Sequence, residues 1–554
     1  MAITSKGCQT CKLRRIKARF LLPSLSPSLL TKPSQCDEGR PICERCTKSR
    51  RVCLPTDAVK QATFSIHVEN RYASGEVHRP RGPRSSLTML RPQINIQACA
   101  LAFYLRNYVE PTEKHPRLST CVAESLLAWR ESSRHRTCPM VDAGLSSLAL
   151  AVFARTQKSD AAATGASSAY HRLLGLARGR IRTVVGPDVD QRNVEACLLT
   201  VLLMGRYEGS VHRPGMLTTS SPSSLSAPRD SFMSLRSWLH HDGALAILHV
   251  WNDHLSQLDD AASCIIKHTR RGLTLSALLR GIPLADWLLD GERFGERDLD
   301  LDYDRILVPT VNLRYAVNRL LLKGQAGRDA AAAASDLSTA DELDAHAKKL
   351  DTMLEEFATK IPFAGSRRRF FLGEQARTWS TWPQKHFFTP FVTTYEDQGY
   401  AALWALYFAA RILVNSTRLK ILRLHPPSSD REMRSAYDQA RTECLSNIHL
   451  MAGDLASVHP FVLDRVVEST TTDPATSRCG SDPPSSAFSL VVKTDEPVRP
   501  HLATLMVWPL SVAGSVEGVG ADRQRWFRSE LSEIGRIVGD GILECAETEH
   551  WVVL

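Results

Sequence analysis

Six of the fourteen cysteines lie near the start of the chain, at spacings that suit a metal ion. They are Cys8, Cys11, Cys36, Cys43, Cys46 and Cys53. Two cysteines separated by two residues can place both sulfurs on one ion, and a third sulfur that returns after a turn can join the same tetrahedron. Two zinc ions need eight ligand positions, which six thiolates fill only if two sulfurs bridge both ions. The spacing therefore predicts one closed binuclear cluster of two Zn²⁺ with a structural role, because no position is left for a substrate.

Basic residues are concentrated on the same part of the chain. Residues 1–57 carry a net charge of +8, and the whole chain carries +10. A basic charge on a metal-stabilised module favours nucleic acid as the partner. The simpler alternative is a solvated basic surface that contacts no ligand.

The cysteine-rich stretch resembles a known module once residues 18–35 are removed. It then reads C-QT-C-KLRRIK-C-DEGRPI-C-ER-C-TKSRRV-C, which resembles the fungal Zn(II)2Cys6 binuclear cluster of transcription regulators. The basic run after the second cysteine, Asp37 and Pro41 also match that pattern. The resemblance implies that the first and fourth cysteines bridge the metals. The implied ligand sets are Cys8, Cys11, Cys36 and Cys43 for one Zn²⁺, and Cys8, Cys43, Cys46 and Cys53 for the other.

The resemblance also implies how such a module reads double-stranded DNA. A short helix after the second cysteine enters the major groove, where Arg14 and Arg15 reach the bases of a CGG-type triplet. Arginine can make two hydrogen bonds to one guanine, worth roughly 1–3 kcal/mol of discrimination. The other basic residues of the two runs are predicted to contact phosphates, which makes affinity fall with salt. These phosphate contacts are Lys12, Lys17, Lys48, Arg50 and Arg51.

Residues 18–35 depart from the pattern of that family. They contain three prolines, several serines and leucines without an amphipathic period, so we predict no regular element. One interpretation is a real loop, whose closure costs on the order of 1 kcal/mol, against roughly 10–16 kcal/mol from structural zinc. We favour the other interpretation, a translated intron, because removing the segment in frame restores the motif with no residue missing. Sequencing the transcript across this segment decides between them.

The remainder of the chain predicts a mainly α fold, made of the Zn2Cys6 module (residues 1–57), a linker and a large all-α regulatory domain. Residues 58–96 are basic and contain prolines, which indicates a linker, and they show no heptads for a dimerising coiled coil. A homodimer through another domain stays open. Apolar residues recur at helical spacing beyond residue 97. The predicted helices are 97–109, 119–132, 140–156, 168–184, 188–204, 339–358 and 400–413. Thr339 and Glu342 predict a capping box at the start of helix 339–358. Residues 208–234 and 469–500 are rich in Ser, Thr, Pro and Gly, and we expect mobile loops there.

Short segments of the predicted domain 97–554 also resemble the fungal-specific regulatory domain that follows such clusters. They are WLHHDGALAIL from residue 238, RRGLTLSALLRGIPLADWL from 270, WPL from 508 and RQRWFRSELSEIGRI from 523. These patterns are diffuse and much less specific than the cysteines. The resemblance implies a helical region involved in effector response, partner contact and intramolecular control.

Other features of the sequence could also form sites. His240, His241, Asp242 and His249 suggest a second metal site, but no ligand lies at the four-residue step between His241 and His249. We therefore expect packed or capping histidines. No nucleophile elbow, phosphate-binding loop or dinucleotide fingerprint occurs, so we predict no enzyme. Five tryptophans are predicted to lie in the core and not in a ligand box. They are Trp238, Trp251, Trp287, Trp404 and Trp508.

These observations predict a nuclear regulator of RNA polymerase II transcription, acting on the genes of one metabolic pathway, such as a secondary-metabolite cluster. Its partners would be double-stranded DNA and the transcription machinery or coactivators. The longest apolar stretch, residues 400–410, falls short of a bilayer span, and we see no secretory signal. The alternative is a helical protein-interaction or effector-binding protein whose interrupted cluster no longer binds DNA.

Overall fold

The structure is a computed structural model. It describes residues 36, 42–53, 95–109, 125–127, 129, 131, 138–184, 190–213, 237–254, 262–325, 330–362, 366–373, 379, 381–424, 431–471, 487–493, 496–549 and 551–554. The chain divides into two compact units, Met1–Arg91 and Pro92–Leu554. Most of the predicted linker, residues 58–94, lies outside the described residues. Its last two residues, Asn95 and Ile96, cap and begin a helix of the second unit.

The described part of the first unit contains one short helix, α1 (Glu44–Lys48). Cys43 stands at its N-cap in extended backbone, and the Cys43 Sγ accepts a hydrogen bond from the Cys46 amide. After the helix, Arg50 adopts a left-handed φ of +48° and the Arg51 amide donates to the Cys46 carbonyl at 2.9 Å. The chain therefore reverses direction directly after α1.

The second unit is built mainly of helices. The first six are α2 (Ile96–Tyr104), α3 (Pro139–Gln157), α4 (Asp160–Val184), α5 (Gln191–Val211), α6 (Ser237–His254) and α7 (Cys264–Arg280), and α2 continues as a π-helical turn over Leu105–Val109. The later six are α8 (Asp298–Gln325), α9 (Ala330–Lys360), α10 (Gln398–Leu422), α11 (Arg431–Val462), α12 (Pro500–Ala513) and α13 (Ala521–Val538). Short 3₁₀ turns lie at Asp286–Leu288, Glu292–Phe294 and Leu543–Glu547.

Two antiparallel strand pairs accompany these helices. Strand β1 (Arg368–Phe371) pairs with β2 (Phe391–Thr394), and β3 (Val466–Thr471) pairs with β4 (Ala487–Val492). The mainly α prediction is confirmed, but the prediction of an all-α domain is wrong in this detail. Strands of four to six residues are too short to show a clear alternating pattern in sequence.

Helix α10 lies at the centre of the second unit and packs against α9, α11 and α12. Its side chains are buried on nearly every face, as the sequence of residues 400–413 predicted. Asp397 caps its N-terminus, and the Asp397 carboxylate accepts from the Gly399 amide at 2.7 Å. Of the five tryptophans predicted to lie in the core, Trp238 and Trp251 are buried. The other three are half-buried and pack against the core. They are Trp287, Trp404 and Trp508.

Some helices begin earlier than predicted, where the preceding residues also favour a helix. The capping box predicted at Thr339 is wrong, because α9 begins at Ala330 and Thr339 lies in its interior. The alanine-rich start of α9 carries the helix back past that threonine, since alanine has the highest helix propensity. Helix α4 likewise begins eight residues before the predicted 168. Of the predicted helix 119–132, the described residues 125–127, 129 and 131 are helical.

Both predicted loops are shorter than the sequence suggested. Residues 208–211 of the loop predicted at 208–234 complete α5. Of the loop predicted at 469–500, residues 469–471 and 487–492 belong to β3 and β4. Its last residue, Pro500, starts α12 at the first helical position, which needs no amide donor. Residues 214–234, 472–486 and 494–495 of these loops lie outside the described residues.

A buried ion pair fixes α7 against α8. The guanidinium of Arg270 donates to both carboxylate oxygens of Asp304 at 2.6 and 2.9 Å, and its Nε donates to the Leu288 carbonyl at 2.8 Å. Both partners are buried. A buried charge is costly unless it is paired and hydrogen-bonded, and this arrangement meets both conditions.

Candidate metal centre

Three of the six predicted zinc ligands converge in the first unit. The Sγ atoms of Cys43, Cys46 and Cys53 all lie within 4.8 Å of one another. Cys43 and Cys46 are buried, and Cys53 is half-buried. These three thiols can hold a metal ion.

Local structure explains why these sulfurs meet. Cys43 at the N-cap and Cys46 in the first turn of α1 face the same side, because a helix places residues three apart on one face. The reversal at Arg50 brings Cys53 back to the start of the helix, where the Cys43 amide lies 3.5 Å from the Cys53 Sγ. The Cys46 amide lies 3.4 Å from the Cys43 Sγ. Backbone amides that point at sulfur stabilise negative charge on a thiolate.

The donor set fits zinc chemically. Buried thiolates are the ligands of structural tetrahedral zinc sites, and three of them supply three of the four positions. Cys36 is buried in the same cluster of cysteines but stands outside the convergent group of three. Cys8 and Cys11 lie outside the described residues. The number of metal ions therefore stays a prediction.

The predicted DNA contacts fall partly within the described residues. Lys48, Arg50 and Arg51 are exposed at the end of α1 and just after it. Lys48 lies 3.2 Å from Glu44 in an exposed pair one helical turn apart, which is worth little in stability. The other predicted contacts, Lys12, Arg14, Arg15 and Lys17, lie outside the described residues.

A second cluster of potential ligands lies in the second unit and escaped the sequence analysis. The imidazoles of His386 and His459 both meet the carboxylate of Glu530, and all three residues are buried. His386 lies in the segment before β2, His459 near the end of α11 and Glu530 in α13. Their positions are 73 and 71 residues apart and share no motif, so only the tertiary fold could bring them together.

Hydrogen bonds account for the convergence of these three side chains, although His459 Nδ1 is buried with no partner in the described structure. Glu530 Oε1 accepts from the His386 amide at 2.7 Å. Its Oε2 lies 2.8 Å from His386 Nδ1 and 2.9 Å from His459 Nε2. The left-handed backbone at His386, with φ of +66°, turns both its amide and its ring toward the same carboxylate. We interpret the cluster as a carboxylate clamp that ties three elements together.

The protonation states follow from this geometry. Burial lowers the pKa of His459, and the neighbouring carboxylate offsets only part of that effect, so the ring is neutral near pH 7. Burial raises the pKa of Glu530, but hydrogen bonds from His386 and His459 outweigh it, and the net shift is downward. Glu530 is therefore an anion that accepts three N–H groups.

Among the described residues, the histidines of α6 take part in no group of three potential metal ligands. His249 Nδ1 lies 2.8 Å from Asp253, and Asp242 accepts from Arg280 at 2.6 Å. His240 Nε2 lies 3.4 Å from the hydroxyl of Tyr170. His240, Asp242 and His249 each interact with a different partner, which agrees with the expectation of packed or capping histidines.

Comparison of the chain with models of known protein families, with curated proteins and with solved structures found no match. Among the helices that the structure describes, none combines the length and the apolar composition that a bilayer span requires.

Proposed function

We propose that the chain is a zinc-dependent, sequence-specific DNA-binding regulator of RNA polymerase II transcription. The observation that carries the proposal is the convergence of Cys43, Cys46 and Cys53 within 4.8 Å in the first unit. Cys36 is buried in the same cluster but outside the convergent group, which suits the implied ligand sets, because Cys43 is the one member of that group with which Cys36 would share a metal. The cysteine spacing and the sequence pattern around it support a Zn2Cys6 cluster with two Zn²⁺.

Electrostatics supports DNA as the partner. Most of the net positive charge of the chain lies in residues 1–57, and three predicted phosphate contacts are exposed around the end of α1. If all five predicted phosphate contacts form, the logarithm of the binding constant should fall with the logarithm of salt at a slope of about −4.5. In this proposal the helical second unit controls activity in the nucleus, through coactivators or the transcription machinery.

A gel-shift assay with a CGG-containing duplex tests the proposal. The full chain, with and without residues 18–35, is compared in zinc and after chelation. Cys46→Ser should abolish specific binding, because it removes one of the three convergent sulfurs. Cys99→Ser is the matched control, because this exposed thiol lies in α2 outside the cluster and should leave binding unchanged.

Two further variants separate base reading from phosphate contact. Arg14→Ala should relax the preference at one guanine, and a loss of about 1–3 kcal/mol is expected at that base. Lys48→Ala should weaken all duplexes alike and reduce the salt slope by about 0.9. A uniform loss in Arg14→Ala would show that this residue does not read a base.

The interruption at residues 18–35 favours a second candidate function. If neither form of the chain binds DNA in zinc at low salt, the regulator proposal fails. The chain is then better described as a helical protein-interaction or effector-binding protein that retains a non-functional cluster.

A further inference from the structure

The Glu530 clamp has the donor set of a metal site as well as that of a hydrogen-bonded cluster. Two imidazoles and one carboxylate are a ligand set that zinc takes in proteins. Glu530 Oε2 lies 2.8 Å from His386 Nδ1 and 2.9 Å from His459 Nε2. Ligand atoms of a tetrahedral zinc site lie about 3.3 Å apart, so these separations would have to widen by roughly 0.5 Å. That change is small enough for side chains to make.

The clamp differs from an ordinary pair of histidine and carboxylate. His249 of α6 lies 2.8 Å from Asp253, but both side chains are about half exposed, and among the described residues no third ligand joins them. In the clamp the side chains are exposed by 10% or less, and they come from α11, α13 and the segment before β2. Three buried ligands from three elements converge on one point, where water competes little for an ion.

Contacts around the clamp hold its ligand atoms in place. The His386 amide donates to Glu530 Oε1 at 2.7 Å, which leaves Oε2 directed at the two rings. The Trp526 ring packs edge-on against His459, with ring centroids 5.4 Å apart. Its Nε1 donates at 3.1 Å to the Gln384 carbonyl, two residues before His386. Metal sites depend on such outer contacts to orient their ligands.

The protonation states of the clamp suit an ion. A metal needs an ionised carboxylate and an unprotonated ring nitrogen. Glu530 is an anion, and His459 is neutral near pH 7. When Zn²⁺ binds, the proton that each ring shares with Glu530 would move to the other nitrogen of that ring. On His459 this nitrogen is Nδ1, which is buried with no partner in the described structure, so we expect an exchangeable ion and not a permanent one.

Two clefts give an ion access to the clamp. His386 lines one cleft, of about 760 Å³, and Glu530 lines the other, of about 920 Å³. Lys385 and Arg536 line both clefts, but each pairs with Glu533, at 2.7 and 2.5 Å, which reduces their repulsion of a cation. Three protein ligands leave one tetrahedral position, which a water from either cleft can fill.

We propose that this site binds one exchangeable Zn²⁺ through His386 Nδ1, His459 Nε2 and Glu530 Oε2. The clamp described above is then the zinc-free form of the site. The proposal goes beyond DNA binding and does not depend on it. Zinc would stabilise the second unit by mass action, because the three ligands meet only in the folded chain.

Equilibrium dialysis of the full chain in a zinc-buffered solution, followed by elemental analysis, tests the site. His386→Asn should bind about one zinc ion per chain fewer than the wild type, since an amide is a poor zinc ligand. Asparagine tolerates the left-handed backbone at this position, where φ is +66°. His249→Asn is the matched control and should bind as much zinc as the wild type. A His386→Asn variant that is folded by circular dichroism and binds as much zinc as the wild type would overturn the proposal.

A variant without the predicted cysteine ligands tests the site separately from the first unit. In this variant serine replaces all six, and it should still bind about one zinc ion per chain. Zinc should also raise its midpoint of urea unfolding, and adding His386→Asn should remove both effects. Co²⁺ in place of zinc should give visible absorption without a sulfur-to-cobalt charge-transfer band. The replaced residues are Cys8, Cys11, Cys36, Cys43, Cys46 and Cys53.

Two results with this variant would contradict the proposal, and they decide the matter even if His386→Asn fails to fold. Absence of bound zinc in the folded variant would mean that the cluster is a hydrogen-bonded clamp alone. A sulfur-to-cobalt band would place the ion on one of the remaining cysteines. Neither measurement uses DNA or the predicted cysteine cluster, so failure here is distinct from failure of the regulator proposal.

Discussion

Replacing Glu530 by glutamine tests the interpretation of the carboxylate clamp. The substitution keeps the size and shape of the side chain but removes its charge and turns one acceptor oxygen into an amide donor. At present both oxygens accept N–H groups, one from the His386 amide at 2.7 Å and the other from the rings of His386 and His459. No orientation of a glutamine amide satisfies all three donors.

The size of the effect follows from these contacts. A hydrogen bond to a charged acceptor contributes about 1.5–3 kcal/mol, and Glu530→Gln weakens three of them. If the amide nitrogen takes the Oε1 position, it faces the His386 amide, so two donors meet in a buried site. If it takes the other position, the His459 proton must move to Nδ1, which is buried without a hydrogen bond. We expect a loss of about 3–5 kcal/mol in the free energy of unfolding.

Urea unfolding followed by far-ultraviolet circular dichroism measures this loss, because most of the helix described lies in the second unit. Glu533→Gln is the matched control, one turn later on the same helix. Glu533 is half-buried and pairs with two largely exposed cations, Lys385 at 2.7 Å and Arg536 at 2.5 Å. Loss of two such pairs should cost less than about 2 kcal/mol. Equal effects of the two substitutions would refute the clamp, as would a Glu530→Gln variant as stable as the wild type.

Three further predictions concern the same unit. Gly535→Ala should destabilise it by about 1–3 kcal/mol, because the new Cβ would lie 2.6 Å from a backbone nitrogen. Gly453→Ala should stabilise it by about 0.5–1 kcal/mol, because the new Cβ would meet only Arg523 Nη2, at an ordinary contact distance of 3.9 Å. Arg270→Met should cost about 3–5 kcal/mol by leaving Asp304 unpaired, and a double-mutant cycle with Asp304→Asn should give a combined loss well below the sum. Stability should fall as pH drops below 6.5, the usual pKa of histidine. The pKa of His459 is lower in the folded chain than in the unfolded chain, so protons bind preferentially to the unfolded chain and favour unfolding. Denaturant midpoints check all three, and a midpoint that is flat or rises from pH 7 to 5 would contradict the last.

The pH prediction has a second part that works in the same direction. The lowered pKa of Glu530 stabilises the fold above the ordinary glutamate pKa of 4.5, and that contribution disappears as the carboxylate is protonated at lower pH. The Glu530→Gln variant lacks this part. Its midpoint should therefore depend less on pH below 4.5 than that of the wild type.

Much of the fold was predictable because helices leave a local signature. The periodicity of residues 400–413 predicted a buried helix, and α10 is that helix. Helix boundaries were less predictable. Thr339 carries a capping pattern, but α9 begins at Ala330, because the alanines before Thr339 favour helix. Strands β3 and β4 escaped because a residue such as Val466 pairs with Val492, and that partner is distant in sequence.

The sequence by itself determined the candidate metal site of the first unit. Cys43, Cys46 and Cys53 lie within one short segment, so their spacing and the turn after α1 suffice to bring the sulfurs together. The basic charge beside them is likewise a local property. Only the tertiary structure decided the Glu530 clamp. The clamp depends on side chains from two helices and from the segment before β2, which meet only when the core packs, and no local spacing encodes such a meeting.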